Sequence, residues 1–579
     1  MTSETRSCQN CKTPFTIEPD DFTFYEKMQV PPPTFCPECR LQRRLTWRNE
    51  SMLHKDTCKL CGKSIITTYN PAFLFTVYCN ICWFSDKWDP SAYGKEYDFS
   101  KPFLEQFGAL LKIVPKLALI ENGNVRSEYT NYSTNNKNCY LAFSVWEAEN
   151  VNYATRVHKI QDSMDCYSVT YSSQCYECID SHRNNKVFFS QYTDNCADCM
   201  FLYDCKGCIT CIASAGLRNK SNYFLNQPVT NEEIKQIGKR LLSDYPFRSE
   251  VQTKWEALSS KIPRRYAQLI KVDNCQGNNI KESKNCRFCF DIENSEEGKY
   301  IFDGAGFKDG MDVNFNDKSE LVYEVMSLDE SSRSKFSTII WGNSSDIEYS
   351  HNCASSASHC FGCDAIRGKS YCILNTQYSA EEYNTLLPKI RQHMSDMPYR
   401  DTKGIAYTYG EFLPSELSPF PYNDTKAQET FPLVQTEAEE KGFKWTPPVQ
   451  RAYTITKKGE DIPENSTDVD EEILQDIIGC EHEGTCKENC STAFRIITSE
   501  LQFYKIHGLP LPHLCPNCRH HQRLNKRESF RLYHRKCQCT SSHIWHDSNQ
   551  ACPNEFETTY APDRPEIVYC ENCYQQEVI

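Results

Sequence analysis

Short strand-like phrases fill residues 125–226, set in a background of Asn, Cys, Tyr and Ser. NCYLAF, DCYSV, VFFSQ and MFLYD are among them, and QCYEC at 174–178 returns as NCADC at 195–199, a step of 21 residues. Phrases recurring at about twenty residues predict a parallel β-solenoid, in which each turn buries one face and like residues stack above like. Asn tolerates the left-handed backbone of a corner, and small Cys suits a crowded interior. A second such stretch is expected at 273–378. Its close repeats that of the first, because LRNKSNYFLNQPVTNEE at 217–233 precedes IRGKSYCILNTQYSAEE at 366–382 by 149 residues. The solenoid is therefore read in two halves, 125–228 and 273–378.

Each half leads into text of helical period. EEIKQIGKRLL follows Thr230 and EEYNTLLPKIRQHM follows Ser379, both good N-caps with Glu in the first turn. Residues 229–272 read as a helical connector and 379–397 as a capping helix that covers an open edge. Residues 398–475 read as a wrapping linker. Its GEFLPSELSPFPYND is rich in Pro and aromatics, and its KKGEDIPENSTDVDEEILQD is acidic and turns helical near 468–478.

The two ends carry a different pattern. Residues 1–100 hold four CxxC knuckles: Cys8/Cys11, Cys36/Cys39, Cys58/Cys61 and Cys79/Cys82. Taken in order they make two sites of four thiolates, with the loop lengths a tetrahedral zinc site needs. Residues 476–579 repeat the plan. Cys490, Cys515 and Cys518 lie 479 positions after Cys11, Cys36 and Cys39, and the same shift carries Cys58 to Cys537. Beyond that point the shift is 491, pairing Cys61, Cys79 and Cys82 with Cys552, Cys570 and Cys573, so twelve residues are inserted. The first C-terminal knuckle, Cys486 and Cys490, is one residue wider than its partner, with Cys480 and His482 as spare ligands nearby. The last site has five candidates for four positions, since Cys539 competes with Cys552. About four structural Zn²⁺ ions are expected. The cysteines of the middle serve either interior stacking or metal; their spacing follows the coil repeat, which favours stacking.

The segment CQNCKTPFTIEPDDFTFYEKMQVPPPTFCPECRLQRR resembles the bacterial probable zinc-ribbon or treble-clef domain: a CxxC knuckle, an aromatic pair (Phe24 and Tyr25), a proline and a CPxCRxxR ending. AFRIITSELQFYKIHGLPLPHLCPNCRHHQR carries the same framework. More loosely, the whole chain resembles large zinc-ribbon proteins of candidate-phylum bacteria, a likeness that brings no established activity. The expected architecture is multidomain and mainly β: a Cys-rich parallel β-solenoid in two halves with capping helices, flanked by tandem treble-clef/zinc-ribbon modules at 1–100 and 476–579.

Composition then narrows function. The chain has 579 residues, 34 cysteines and a formal charge of −13. Each thiolate-zinc site adds about −2, so no bulk attraction draws this protein to nucleic acid. Local cations do stand out. Arg40, Arg43, Arg44 and Arg48 follow Cys39, while Arg519, Arg523, Lys526, Arg527, Arg531 and Arg535 follow Cys518, mostly at four-residue spacing. On the helix expected after the second knuckle they form one stripe. Such a stripe suits bidentate phosphate contact, with RNA or a ribonucleoprotein favoured as partner. The competing use is intramolecular, against the zinc-thiolate charge or acidic residues of the solenoid. Trp47, Trp83 and Trp88 either stack on unpaired bases or, as small zinc domains more often require, pack their cores.

No phosphate loop, dinucleotide fingerprint, nucleophile elbow, HExxH or deaminase pattern occurs. Saturated Cys₄ sites have no open position for chemistry. A non-enzymatic binding protein is therefore expected. The alternatives are a protein-interaction scaffold using the solenoid face and a carbohydrate-active solenoid enzyme, whose carboxylates would include residues such as Asp180 and Asp204. The opening residues have no secretory pattern and no run reaches the length of a membrane span. Cysteine spacing points to metal rather than disulfides, so a cytoplasmic protein without membrane contact is expected.

Overall fold

A computed structural model describes residues 2–447, 453–463, 465–486, 489–543, 546 and 551–578. The protein is mainly β, with twelve α-helices among the described residues. It divides into two compact units, one formed by 1–119 with 267–446, the other by 120–266 with 447–579. Each unit combines a Cys-rich terminal module with one array of parallel strands. The assignment is crossed: the N-terminal module belongs with the second array, and the C-terminal module with the first.

The arrays have a shorter repeat than the phrase spacing suggests. In the first, Thr155 pairs with Tyr167, Asn185 with Ala197 and Met200 with Ile212, always twelve positions on. In the second, Lys308 pairs with Glu320 and Val325 with Ser337 at the same interval. The expected step of 21 is thus corrected to a lap of twelve. The two numbers share a factor of three, and three is the true unit. Cys139, Ala142, Val145, Ala148, Val151, Ala154, Val157 and Ile160 all point into one continuous core. The residue before each inward side chain is left-handed, as at Asn138, Leu141, Ser144 and Glu147, with φ of 47–55°. Four such tripeptides close one lap.

A left-handed residue with a Cβ costs roughly 1–2 kcal/mol, so the array must return that energy elsewhere. Its backbone does so by pairing with the laps on either side. Asn150 donates its N–H to the Lys137 carbonyl at 2.9 Å, and Lys137 donates to Ala148 at 2.9 Å. Side chains add their own ladders: Asn138 to Asn150 and Asn150 to Asp162, each at 2.8 Å. Inside, thiols fill the tripeptide positions. The Cys178 thiol lies 3.1 Å from the Val187 carbonyl, and burial pushes it well above the usual thiol range.

Helices border the arrays where the N-caps predict them. Asn231–Ser243 begins at Thr230 and Ala380–Asp396 at Ser379, each closed by a reciprocal bond with Glu233 or Glu382. Tyr245–Ser259 follows, and its Trp255 donates to the Ser214 carbonyl of the first array at 3.2 Å. The helix expected near 468–478 is instead two short 3₁₀ segments, Ser466–Asp468 and Glu471–Gln475. Asp468, Asp470, Glu471, Glu472 and Asp476 crowd like charges into that stretch, which opposes a regular helix. Among the described residues no helix is long and apolar enough to cross a membrane.

Candidate metal centres and their arginine helices

Each module builds its cysteine cluster from two elements. A β-hairpin, such as Glu4–Ser7 with Pro14–Ile17, carries the first knuckle, Cys8 and Cys11, in the loop between its strands. A helix starting at the second knuckle supplies the rest: Pro37–Leu45 after Cys36, and Pro516–Asn525 after Cys515. Pro at the first helical position suits this start, because its missing N–H would be unpaired there anyway.

Four sulfur sets result. Cys8, Cys11, Cys36 and Cys39 converge, as do Cys58, Cys61, Cys79 and Cys82, with all ligand atoms of each set within 4.8 Å of one another. A tetrahedral zinc with Zn–S of about 2.3 Å places its sulfurs about 3.8 Å apart. Cys11 and Cys36 are 3.7 Å apart, Cys61 and Cys79 3.9 Å, and Cys552 and Cys570 3.9 Å, so the donor sets fit that ion. Backbone donors prepare the sulfurs for it. Cys79 N–H points to Cys58 Sγ at 3.3 Å and Cys570 N–H to Cys537 Sγ at 3.2 Å. Burial opposes the Cys58 thiolate, yet backbone N–H groups of Cys79, Cys61 and Leu60 bring the group down to about 6.

The C-terminal module refines the sequence assignment at both of its sites. At the first, the set is Cys480, Cys490, Cys515 and Cys518. Cys486 lies 3.7 Å from Cys518 and Cys480 3.9 Å from it, so five sulfurs crowd this centre. Cys480, a spare ligand on spacing alone, is buried and accepts the Cys515 N–H at 3.3 Å. At the second, Cys552 joins Cys537, Cys570 and Cys573, as the repeat register implies. Cys539 falls in a different group, with His543, His546 and Cys573. Sequence reasoning missed the two histidines; the Cys-x₃-His-x₂-His spacing was their only signal.

The arginines lie elsewhere than a polyanion-facing stripe requires. Arg40, Arg43, Arg44 and Arg48 are buried within their unit. Arg40 meets Asp312 at 2.9 Å; Arg44 meets Asp312 at 3.1 Å and Glu324 at 2.9 Å. Arg43 links Glu324 at 3.1 Å to Glu411 at 3.0 Å, and Arg48 pairs with Glu50 at 2.8 Å. The C-terminal helix does the same. Arg519 meets Glu500 at 3.2 Å, Arg523 meets Asp165 at 2.8 Å and Glu177 at 3.0 Å, and Arg527 meets Asp180 at 2.9 Å. Burial works against the charge on Arg40 and Arg519, but the facing acids hold both well above the ordinary range. Arg519 and Arg523 are buried as well. Arg40, Arg43, Arg44, Arg519, Arg523 and Arg527 each face an acid of a strand array, Arg519 reaching Asp165 at 3.5 Å, while Arg48 is held by Glu50 of its own module, and the expectation of a solvent-facing stripe is corrected for them. Lys526 and Arg531 are exposed, and half-buried Arg535 donates to Gln538 at 2.8 Å.

Apolar contacts reinforce the docking. Tyr25 packs on Tyr323 with ring centroids 5.5 Å apart, and Tyr504 on Tyr176 at 5.8 Å. Trp47 and Trp83 are buried; Trp88 donates to the Trp83 carbonyl at 2.9 Å and its ring lies 5.9 Å from that of Trp83, whereas Trp47 packs against His351 of the array and Phe412 of the linker. Asp180 and Asp204, the carboxylates considered for catalysis, are both in ion pairs, Asp180 with Arg527 and Asp204 with Arg218 at 3.0 Å. No family model matches the chain, and no curated protein matches it.

Proposed function

We propose that this protein is a non-enzymatic, zinc-held scaffold. In this reading each array is a parallel β-solenoid of twelve-residue laps, and each terminal module is a tandem treble-clef or zinc-ribbon pair carrying structural Zn²⁺. Zinc folds the module, and the module then clamps the solenoid through its arginine helix. The observation that carries the reading is the bridge made by one guanidinium, Arg44 or Arg523, across two acids one lap apart. That spacing, Asp312 to Glu324 and Asp165 to Glu177, is the repeat itself, and neighbouring strands lie about 4.8 Å apart, a gap one guanidinium spans. The exposed solenoid faces then serve as the interaction surface for protein partners.

Affinity capture with the full-length protein tests this. Partners are expected to stay bound in high salt and after nuclease treatment. Their loss under either condition, with nucleic acid recovered, overturns the scaffold reading. A narrower polyanion reading rests on Lys526 and Arg531, which remain at the surface. It predicts RNA binding that weakens steeply with salt and disappears in the Lys526→Glu/Arg531→Glu variant.

A further inference from the structure

The C-terminal module differs from its N-terminal copy by more than drift. Twelve residues stand between Cys537 and Cys552 that have no counterpart between Cys58 and Cys61. That insertion contains Cys539, His543 and His546. All three come together with Cys573, their ligand atoms within 4.8 Å of one another. Cys539 Sγ is 3.2 Å from His543 Nε2, and Cys573 Sγ is 3.5 Å from His546 Nε2. The histidines are locked opposite each other, with His543 N–H donating to the His546 carbonyl at 2.9 Å and the reverse bond at 3.2 Å. Directly opposed residues of an antiparallel pair project to one face, which aims both imidazoles the same way. Glu577 Oε1 adds a carboxylate 3.4 Å from His543 Nε2.

We infer that the insertion builds a fifth metal site, a Cys₂His₂ centre for Zn²⁺ formed by Cys539, His543, His546 and Cys573. Cys573 also belongs to the Cys₄ set with Cys537, Cys552 and Cys570. Its thiolate therefore bridges two ions, giving this module a two-zinc cluster where the N-terminal copy has a single ion at the equivalent place. Two cysteines and two histidines are a usual tetrahedral donor set for zinc, and sharing one thiolate lowers the negative charge the pair of sites must bury.

The inference rests on the zinc reading of the Cys₄ sites, and the test separates the two. Elemental analysis of the native full-length chain is expected to give five zinc ions, and His543→Ala/His546→Ala to give four with the other centres intact. Zinc X-ray absorption of the wild type is expected to contain imidazole scattering and a metal–metal vector of about 3.5–4 Å. Four zinc ions in the wild type without imidazole scattering overturn this inference and leave the Cys₄ reading standing. A chain without zinc overturns both. Should the double variant fail to fold, the wild-type absorption spectrum alone decides the matter.

Discussion

The two units solve one docking problem with the same central contact and different surroundings. Arg44 and Arg523 occupy equivalent places, 479 positions apart, and their acid pairs are equivalent too, since Asp312 and Glu324 follow Asp165 and Glu177 by 147. Tyr323 follows Tyr176 by the same 147, and each meets the equivalent module tyrosine. Around that centre the units diverge. The N-terminal unit adds Arg43, which reaches Glu411; the C-terminal counterpart is Gln522, which carries no charge. The C-terminal unit answers with Glu500 on Arg519, whereas the equivalent Asp21 turns to Lys299 at 2.6 Å. The constant part reads the twelve-residue lap, because a module displaced by one lap would lose one of its two acids. The variable part sets how much charge is buried around it.

Zinc removal is the harshest way to break this parallel. Structural zinc contributes about 10–16 kcal/mol per site at neutral pH, far more than any single ion pair. Chelation is expected to unfold both modules while the arrays keep their hydrogen-bonded laps. Limited proteolysis checks it: cuts should appear within 1–100 and 476–578 and spare 130–215 and 276–373. Equal cleavage with and without metal would falsify the clamp.

The next largest effect distinguishes the units. Removing one partner of a buried ion pair costs about 3–5 kcal/mol, because the other charge is stranded. Arg523→Ala should reach that range, since Arg519 lies 3.5 Å from Asp165 and is its remaining close cation. Arg44→Ala should cost less, about 2 kcal/mol, because Arg40 and Arg43 still face Asp312 and Glu324. Hydrogen exchange of the array amides beside each module measures both. Equal losses would show that the extra arginine of the N-terminal unit does not share the load.

The sequence made the duplication, the knuckles and the helix caps legible, because each rests on local spacing or on a short contact. The lap length was hidden. Cys175 and Cys196 occupy equivalent tripeptide positions seven units apart, so a chance recurrence of phrases concealed the pairing of Thr155 with Tyr167. The interval of 149 at the closing hairpins, against 147 at the acid pair, also has a structural cause. Thr338 pairs with His351 and Ser345 with Ser358, both at thirteen, so two laps of the second array carry one extra residue. The fate of Arg40, Arg44 and Arg523 was not legible, because their array acids lie more than 250 residues away in the chain, and four-residue spacing says which face they share but not what covers it.

The smallest effect sharpens the comparison at one position. Glu528 follows Arg527 where the N-terminal copy has Asn49 after Arg48. Burial pushes the Glu528 carboxyl up from 4.5 to about 7, although Arg564, 3.1 Å away, pulls it down. The folded protein thus keeps a proton that the unfolded chain has already lost. Stability from this group is fully present below about 4.5 and falls as pH rises toward about 7. At ~1.4 kcal/mol per pH unit, with relaxation around the site, the loss is about 1–2 kcal/mol. Glu528→Gln should remove that slope from the C-terminal unit, while Asn49→Asp should introduce a comparable one into the N-terminal unit. Denaturation midpoints of the three proteins between pH 5 and pH 8 check it, and parallel curves would show that the buried carboxyl does not take up a proton on folding.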